Sequence, residues 1–177
     1  MTQRIFAVLA TLACAFALPL HAAETTGNAI DDSSITTRVK ADMFDNKNTH
    51  ATKISVTTYQ GVVQLSGFVT TEDEKNWAEK IAKETKGVKE VRNSIALHPE
   101  TSVGTKLDDT MLTSKVKAAL MDSADVKSGD MTVISEDGIV QLSGFVNSEG
   151  MKERAVKVTE SVSGVKRVDD ALLVKPK

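Results

Sequence analysis

The chain is poor in cysteine, proline and aromatic residues: it has one cysteine, three prolines and 4% aromatics in 177 residues. Cys14 lies in an N-terminal segment that we predict to be removed, which excludes disulfides from the mature protein. Lipidation of Cys14 is the alternative, but TLAC matches a lipobox poorly. Neither sign of charge is in large excess, since the chain has 22 basic and 24 acidic residues. We therefore expect no basic face that would bind nucleic acid.

The N-terminus has the features of a secretory signal peptide. Arg4 precedes an apolar stretch at 5–18, and Ala22 ends a small-residue cleavage site. The apolar stretch is too short to span a membrane as a helix. We therefore predict a signal peptide at 1–22, export to the periplasm and a flexible segment at 23–30.

A short stretch occurs twice, as GVVQLSGFV at 61–69 and as GIVQLSGFV at 138–146. The same offset relates 31–98 to 108–175 without a gap, and about a third of the paired residues are identical. A repeat of this size is a small domain rather than a solenoid unit. The sequence predicts domains at 31–98 and 108–177, joined by a linker at 99–107 that is rich in Pro, Ser, Gly and Thr.

Each copy has the pattern of an α-β-β-α-β unit. In the first copy, a helix with Ile35 and Val39 on its apolar face precedes two alternating strands that meet at Gly61. Thr71 and Glu74 then form a capping-box pattern at the start of a second helix, and a last strand follows. We predict an α+β fold in which two helices cover one face of a three-stranded sheet.

Four glycines recur at equivalent places and are predicted to be structural. Gly87 and Gly164 follow the second helix of each copy, where a left-handed residue is favoured. Gly67 and Gly144 lie inside a strand, and we expect them to let a helix backbone approach the sheet.

No catalytic arrangement is visible in the sequence. The repeated pairs Asp31-Asp32 and Asp108-Asp109 are expected to cap helices and complement their dipoles, rather than to act as catalytic carboxylates. His50 and His98 have no cysteine or second histidine at metal-ligand spacing. We expect no enzyme activity, no cofactor and no metal.

The second helix of the first copy is a candidate surface for lipid. Lys80, Lys83 and Lys86 are spaced to lie near one side of it, where they could meet lipid phosphates. The alternative is a solvated face balanced by acidic neighbours. Trp77, nearby, could anchor at a membrane interface or cover the edge of the core.

The strand faces that point away from the helices carry Phe68 and Phe145. A sheet covered on one side only would leave these apolar side chains exposed, and an exposed apolar patch usually marks an interface. The sequence leaves three alternatives: the two copies pack these faces together, the faces form a dimer, or they bind clients.

Three stretches of each copy resemble the signatures of the BON domain. They read DDSSITTRVKADM, GVVQLSGFV and GVKEVRNSIAL in the first copy, and DDTMLTSKVKAAL, GIVQLSGFV and GVKRVDDALLV in the second. The resemblance implies two tandem BON domains in a non-enzymatic periplasmic protein of the osmotic and envelope stress response. It implies binding to anionic phospholipid surfaces or, alternatively, holdase chaperone activity towards unfolded envelope proteins. In lipidated relatives, a helix of the second domain contacts anionic lipid. The oligomeric state stays open.

Overall fold

The computed structural model describes residues 31–98, 105–124, 126 and 131–176, which form two units of the same topology. The first comprises α1 (Asp32–Phe44), β1 (Ile54–Tyr59), β2 (Val62–Val69), α2 (Glu72–Glu84) and β3 (Glu90–Leu97), with a 3₁₀ turn at Ala51–Lys53. The second comprises α3 (Thr105–Asp122), β4 (Met131–Glu136), β5 (Ile139–Val146), α4 (Glu149–Glu160) and β6 (Arg167–Val174). The predicted α-β-β-α-β order is confirmed in both copies.

The predicted domain boundaries are only partly covered by the described residues. The predicted signal peptide and the segment at 23–30 lie outside them. Helix α3 begins at Thr105, so residues 105–107 of the predicted linker are helical.

Each sheet has three strands, with a hairpin followed by a helical crossover. Strand β1 pairs antiparallel with β2, which pairs parallel with β3. Strands β4, β5 and β6 repeat this arrangement. A parallel pair needs a long connection, and α2 and α4 supply it.

The helices pack on one face of each sheet and enclose an aliphatic core. The predicted apolar positions of α1 are buried, and α2 buries Ala78, Ile81 and Ala82 in the same cluster. From the sheet, Val63 and Leu65 are fully buried against them. The second copy buries the equivalent positions except Val158, the counterpart of Ile81, which is half-buried.

Both hairpins turn through two residues with positive φ. The angles are +52° and +83° at Gln60 and Gly61, and +54° and +80° at Asp137 and Gly138. Two positive values define a type I′ turn, whose twist matches that of the strands.

An aspartate from the first helix of each copy holds this turn. The Asp32 carboxylate accepts hydrogen bonds from the N–H groups of Gln60 and Gly61, at 2.6 and 2.8 Å. Asp109 makes the equivalent bonds to the second turn, at 2.9 and 3.1 Å. The helix-capping role predicted for the acidic pairs is therefore wrong for these two residues. Asp31, at the N-cap of α1, makes no side-chain capping bond either.

The strand glycine Gly67 makes room for backbone, but not for the backbone of α1 or α2. Its φ is +128°, and a Cβ at this position would overlap the carbonyl oxygen of Lys53, just ahead of β1. The neighbour is thus the last residue of the 3₁₀ turn, which corrects the expectation that a helix packed on the sheet approaches here. Gly144 has a φ of +119°, and Gly87 and Gly164 have +101° and +105° beyond the ends of α2 and α4.

The predicted capping box starts α2. The Thr71 hydroxyl accepts from the Glu74 N–H at 3.2 Å, and the Glu74 carboxylate accepts from the Thr71 N–H at 3.3 Å. Glu74 also accepts from the Thr70 N–H and pairs with Nδ1 of His50. Burial alone would raise the pKa of Glu74, but the hydrogen bonds from Thr70, His50 and Thr71 outweigh it and lower the pKa.

Candidate functional site

The sheet faces that point away from the helices are packed against each other. Phe68 and Phe145, expected on open faces, are only 2% and 5% exposed. The expectation of an open apolar face is therefore wrong, because each copy covers the face of the other. Of the three alternatives that the sequence left open, the structure shows packing of the two copies together.

A glutamine from the first copy reaches across the centre of this interface. Oε1 of Gln64 accepts from the Gly144 N–H at 2.7 Å, and its Nε2 donates to the Ala171 carbonyl at 2.5 Å. Gln64 is 1% exposed, so both ends of its amide are satisfied inside the protein.

The second copy returns these contacts. Gln141 accepts from the Gly67 N–H at 2.6 Å and donates to the Ser94 carbonyl at 2.8 Å. Between the glutamines, the Ser143 hydroxyl donates to the Ser66 hydroxyl at 2.8 Å. We call these four side chains, Gln64, Ser66, Gln141 and Ser143, the polar clasp.

The polar clasp has approximate two-fold symmetry, since each glutamine bond has a counterpart at the repeat offset. Sequence reasoning missed its residues, because it assigned Val63 and Leu65 to the core and gave no role to the polar residues between them. The signal was present: a glutamine and a serine sit at the same places in two otherwise apolar strands.

The two ends of the interface differ in shape. One end has a solvent-open cavity of about 570 Å³, lined by residues that include Lys53, Phe68 and Glu136. The equivalent cavity at the other end is about 240 Å³. There Tyr59 takes the place of Glu136, and its ring lies 5.3 Å from that of Phe145, centroid to centroid.

Charged groups from both copies meet around the larger cavity. Burial raises the pKa of Glu136, against the opposing effect of Lys53 and His98, while Asp109 and Asp137 reinforce the rise. Nε2 of His98 lies 3.8 Å from a carboxylate oxygen of Asp137. At the other end, Nζ of Lys175 lies 5.1 Å from the centroid of the Tyr59 ring.

The structure brings only part of the predicted lysine patch together. Trp77 is half-buried, and Nζ of Lys80 lies 4.7 Å from the centroid of its ring. Lys83 pairs with Glu79 at 2.5 Å, and this hydrogen bond is the main reason that the pKa of Glu79 is lowered. Lys86 lies beyond the last residue of α2, so the expectation of three lysines on one helix side is wrong for Lys86.

Large apolar side chains are exposed elsewhere on the helices. Phe44 and Met121, at equivalent positions at the ends of α1 and α3, are 69% and 72% exposed. Met111 is 55% exposed, and Lys115 lies one helical turn after it on the outer side of α3. Sequence reasoning missed this outer face of α3, which we define as Met111, Lys115, Ala118 and Met121.

Within the described residues, no group of histidines, cysteines and carboxylates is arranged to hold a metal ion. None of the described helices is long and apolar enough to cross a membrane.

Comparisons with known proteins agree with this architecture. The BON domain model matches residues 31–99 and 108–176. Osmotically-inducible protein Y of Escherichia coli is 42% identical over 151 residues, which cover 84% of this chain and 75% of that protein. The outer membrane lipoprotein DolP of Haemophilus influenzae is 34% identical over 145 residues, covering 81% of this chain and 75% of that protein.

Among solved structures, the C-terminal domain of CdsD, a structural protein of the type III secretion system of Chlamydia trachomatis, matches with a TM-score of 0.34. It is 16% identical, with coverage of 83% of this chain and 68% of that one. A score this low carries no argument about function. The domain matches and the sequence relatives together show that the chain belongs to the BON-domain family, as two BON domains in tandem.

Proposed function

We propose that this protein is a non-enzymatic protein of the bacterial periplasm, active in osmotic and envelope stress, that binds anionic phospholipid surfaces through its helices. The observation that carries the proposal is the covering of both sheet faces. With those faces covered, three of the four exposed large apolar side chains among the described residues lie on helices, Phe44, Met111 and Met121, and the fourth, Leu97, ends β3. Exposed lysines lie on the same helices. The relation to an osmotically inducible protein and to an outer membrane lipoprotein supports the cellular setting.

The lysines on α2 and just beyond its end are sufficient for weak binding only. A lysine near an anionic surface contributes about 1 kcal/mol, which decays over a Debye length of about 8–10 Å. Lys83 is already paired with Glu79, so Lys80 and Lys86 give about 2 kcal/mol between them. Trp77 adds interfacial burial beside Lys80.

The outer face of α3 offers a second contact of different character. Its two exposed methionines are flexible apolar side chains that can enter the headgroup region. Lys115 and Lys117 are exposed on the same helix and pair with no carboxylate in the part of the chain described. Both faces predict binding that is reversible and sensitive to salt.

Vesicle flotation tests the proposal. The protein should float with vesicles that contain phosphatidylglycerol and not with pure phosphatidylcholine, and binding should fall steeply between about 20 and about 150 mM salt. Reversing Lys80, Lys83 and Lys86 to glutamate should weaken binding by about tenfold or more. As a control of equal charge, Arg38→Glu, Lys47→Glu and Lys157→Glu should weaken it much less.

Reversal of Lys115 and Lys117 to glutamate separates the two helices. If only this variant loses binding, the contact lies on α3 and the α2 patch is a solvated face. Equal flotation with neutral and anionic vesicles would contradict the proposal as a whole.

Holdase activity is the second candidate, favoured by the exposed Phe44, Met111 and Met121. Methionine-rich surfaces adapt to varied apolar partners. Phe44→Ser with Met121→Ser should then reduce suppression of client aggregation. If clients instead bind the sheet faces, a disulfide between Ser66→Cys and Ser143→Cys should abolish suppression by keeping those faces covered.

A further inference from the structure

We propose that the interface between the two sheets also joins two chains. In this arrangement, the first copy of one chain (31–98) packs on the second copy (108–175) of another chain, and the remaining two copies do the same. The result is a closed reciprocal dimer whose partner is a second molecule of the same protein. The proposal does not depend on lipid binding or on holdase activity.

The polar clasp makes such an exchange possible without new contacts. Gln64 bonds to the backbone of Gly144 and Ala171, and Gln141 bonds to the backbone of Gly67 and Ser94. Because these bonds link one copy to the other, they form equally well whether the two copies belong to one chain or to two. Exchange of an identical element between protomers is a low-cost route to a dimer.

The ends of the interface select which copies pair. Tyr59 of the first copy contacts Phe145 and Lys175 of the second, and His98 of the first faces Asp137 of the second. A pair of two first copies would lose the contacts that Lys175 and Asp137 supply. A pair of two second copies would lose those of Tyr59 and His98. Unlike copies should therefore pair in preference to like copies.

Competition with the closed monomer sets the concentration at which the dimer forms. Residues 99–104 separate the last described residue of the first copy from the start of α3. A connection this short gives an effective concentration of the order of 1 mM for intramolecular pairing. We expect a minor dimer fraction after refolding at about 10 μM, and comparable amounts of monomer and dimer near about 1 mM.

Cysteine cross-linking tests the pairing, since the hydroxyl oxygens of Ser66 and Ser143 lie 2.8 Å apart. The variants are Ser66→Cys and Ser143→Cys, with Cys14 replaced by serine wherever the chain retains it. They are refolded separately and as an equal mixture at about 10 μM and about 1 mM, then oxidised. The matched control is Ser114→Cys, which places a thiol on the exposed side of α3.

The mixture should give a covalent dimer whose yield rises with concentration. Its yield should exceed that of either single variant alone, and that of the Ser114→Cys control, by at least severalfold. Equal dimer in the mixture and in the control would overturn the proposal. Equal dimer from Ser66→Cys alone would overturn the selection of unlike copies. The double variant in one chain should form an internal disulfide, and its failure to do so would contradict the interface itself.

A second measurement needs no substitution. Native mass spectrometry of the unaltered protein, refolded as a mixture of ¹⁵N-labelled and unlabelled chains, should show a mixed dimer at about 1 mM and little at about 10 μM. Only monomer at every concentration would overturn the proposal.

Discussion

At the scale of single residues, Gly67 is more tightly constrained than its place in the sequence indicates. A strand glycine predicts close packing, but it does not reveal what packs there. The neighbour is the carbonyl oxygen of Lys53, which cannot move as a flexible side chain would. The positive φ of +128° adds a second reason for glycine.

Gly67→Ala should therefore lower the free energy of unfolding by about 2–5 kcal/mol. Strain at such a φ and overpacking each cost about 1–3 kcal/mol, against a small gain from a stiffer unfolded chain. Urea unfolding measures the change. Gly150→Ala is the control, because its Cβ would meet only the Arg154 side chain at 3.8 Å. It should gain up to about 1 kcal/mol from helix propensity, and a similar effect of both substitutions would contradict the account.

Asp32 gives a second prediction at this scale. Asp32→Ala removes both hydrogen bonds to the hairpin turn and should cost about 1–3 kcal/mol of stability. Asp31→Ala, next to it, removes only a contact with the Ser33 hydroxyl and should change stability by less than about 0.5 kcal/mol. Chemical denaturation compares the two. An equal loss of stability in both variants would indicate that the two aspartates stabilise the helix N-terminus rather than the hairpin turn.

At the scale of elements, local patterns predicted most of what is observed. The apolar spacing of α1, the hairpin at Gly61 and the capping box of α2 each depend on residues near one another in sequence. Such patterns can be recognised in the sequence without knowledge of the tertiary structure. The role of Asp32 was not, because its hydrogen-bond partners, Gln60 and Gly61, lie beyond β1 in the chain. Likewise, helix spacing alone did not show that α2 ends before Lys86.

The carboxylate of Glu74 makes the start of α2 sensitive to acid. Its pKa lies below the ordinary value of 4.5, so its ionised form stabilises the fold above that pH. This stabilisation should disappear as pH falls through the lowered native pKa. Glu74→Gln should cost about 1–3 kcal/mol at pH 7 and progressively less below about pH 4.

Denaturant unfolding across this pH range tests the expectation. Glu84→Gln, on an exposed position of the same helix, is the control and should show no such trend. A loss in Glu74→Gln that is the same at every pH would show that the carboxylate charge is not responsible.

At the scale of the whole molecule, the packing of one copy on the other was the part that sequence could not decide. Gln64 and Ser66 are polar, so their pattern is equally consistent with solvent. They are buried because the sheet of the second copy packs on them and supplies matching hydrogen-bond donors and acceptors. The lining of the larger cavity is unpredictable for the same reason, since it combines Lys53 and Phe68 with Glu136 from a separate copy.

Glu136 links this packing to pH. Because its pKa is raised, the native state favours the protonated form. The contribution to stability is fully present below the ordinary pKa of 4.5 and is lost as pH rises through the native value. Glu136→Gln should therefore be more stable than the parent protein at pH 7, and the difference should vanish below about pH 4.

Thermal unfolding at several pH values measures this difference. Glu153→Gln, exposed on α4, should match the parent at every pH. Lower stability of Glu136→Gln at pH 7 would show that the electrostatic attraction to Lys53 outweighs the effect of burial.

The approximate two-fold symmetry of the polar clasp has a historical consequence. In a symmetric dimer of single domains, every position occurs twice, and one substitution alters both ends of the interface at once. Fusion of two copies into one chain removes that restriction. Tyr59 and Glu136, or His98 and Lys175, can then differ, because each acts at one end only. The central glutamines face each other's backbone across the axis, where both copies still need the same residue. The present chain has the form of a homodimer joined into one chain. The residues at the two ends of its internal interface have diverged, whereas the glutamines and serines at the centre have not.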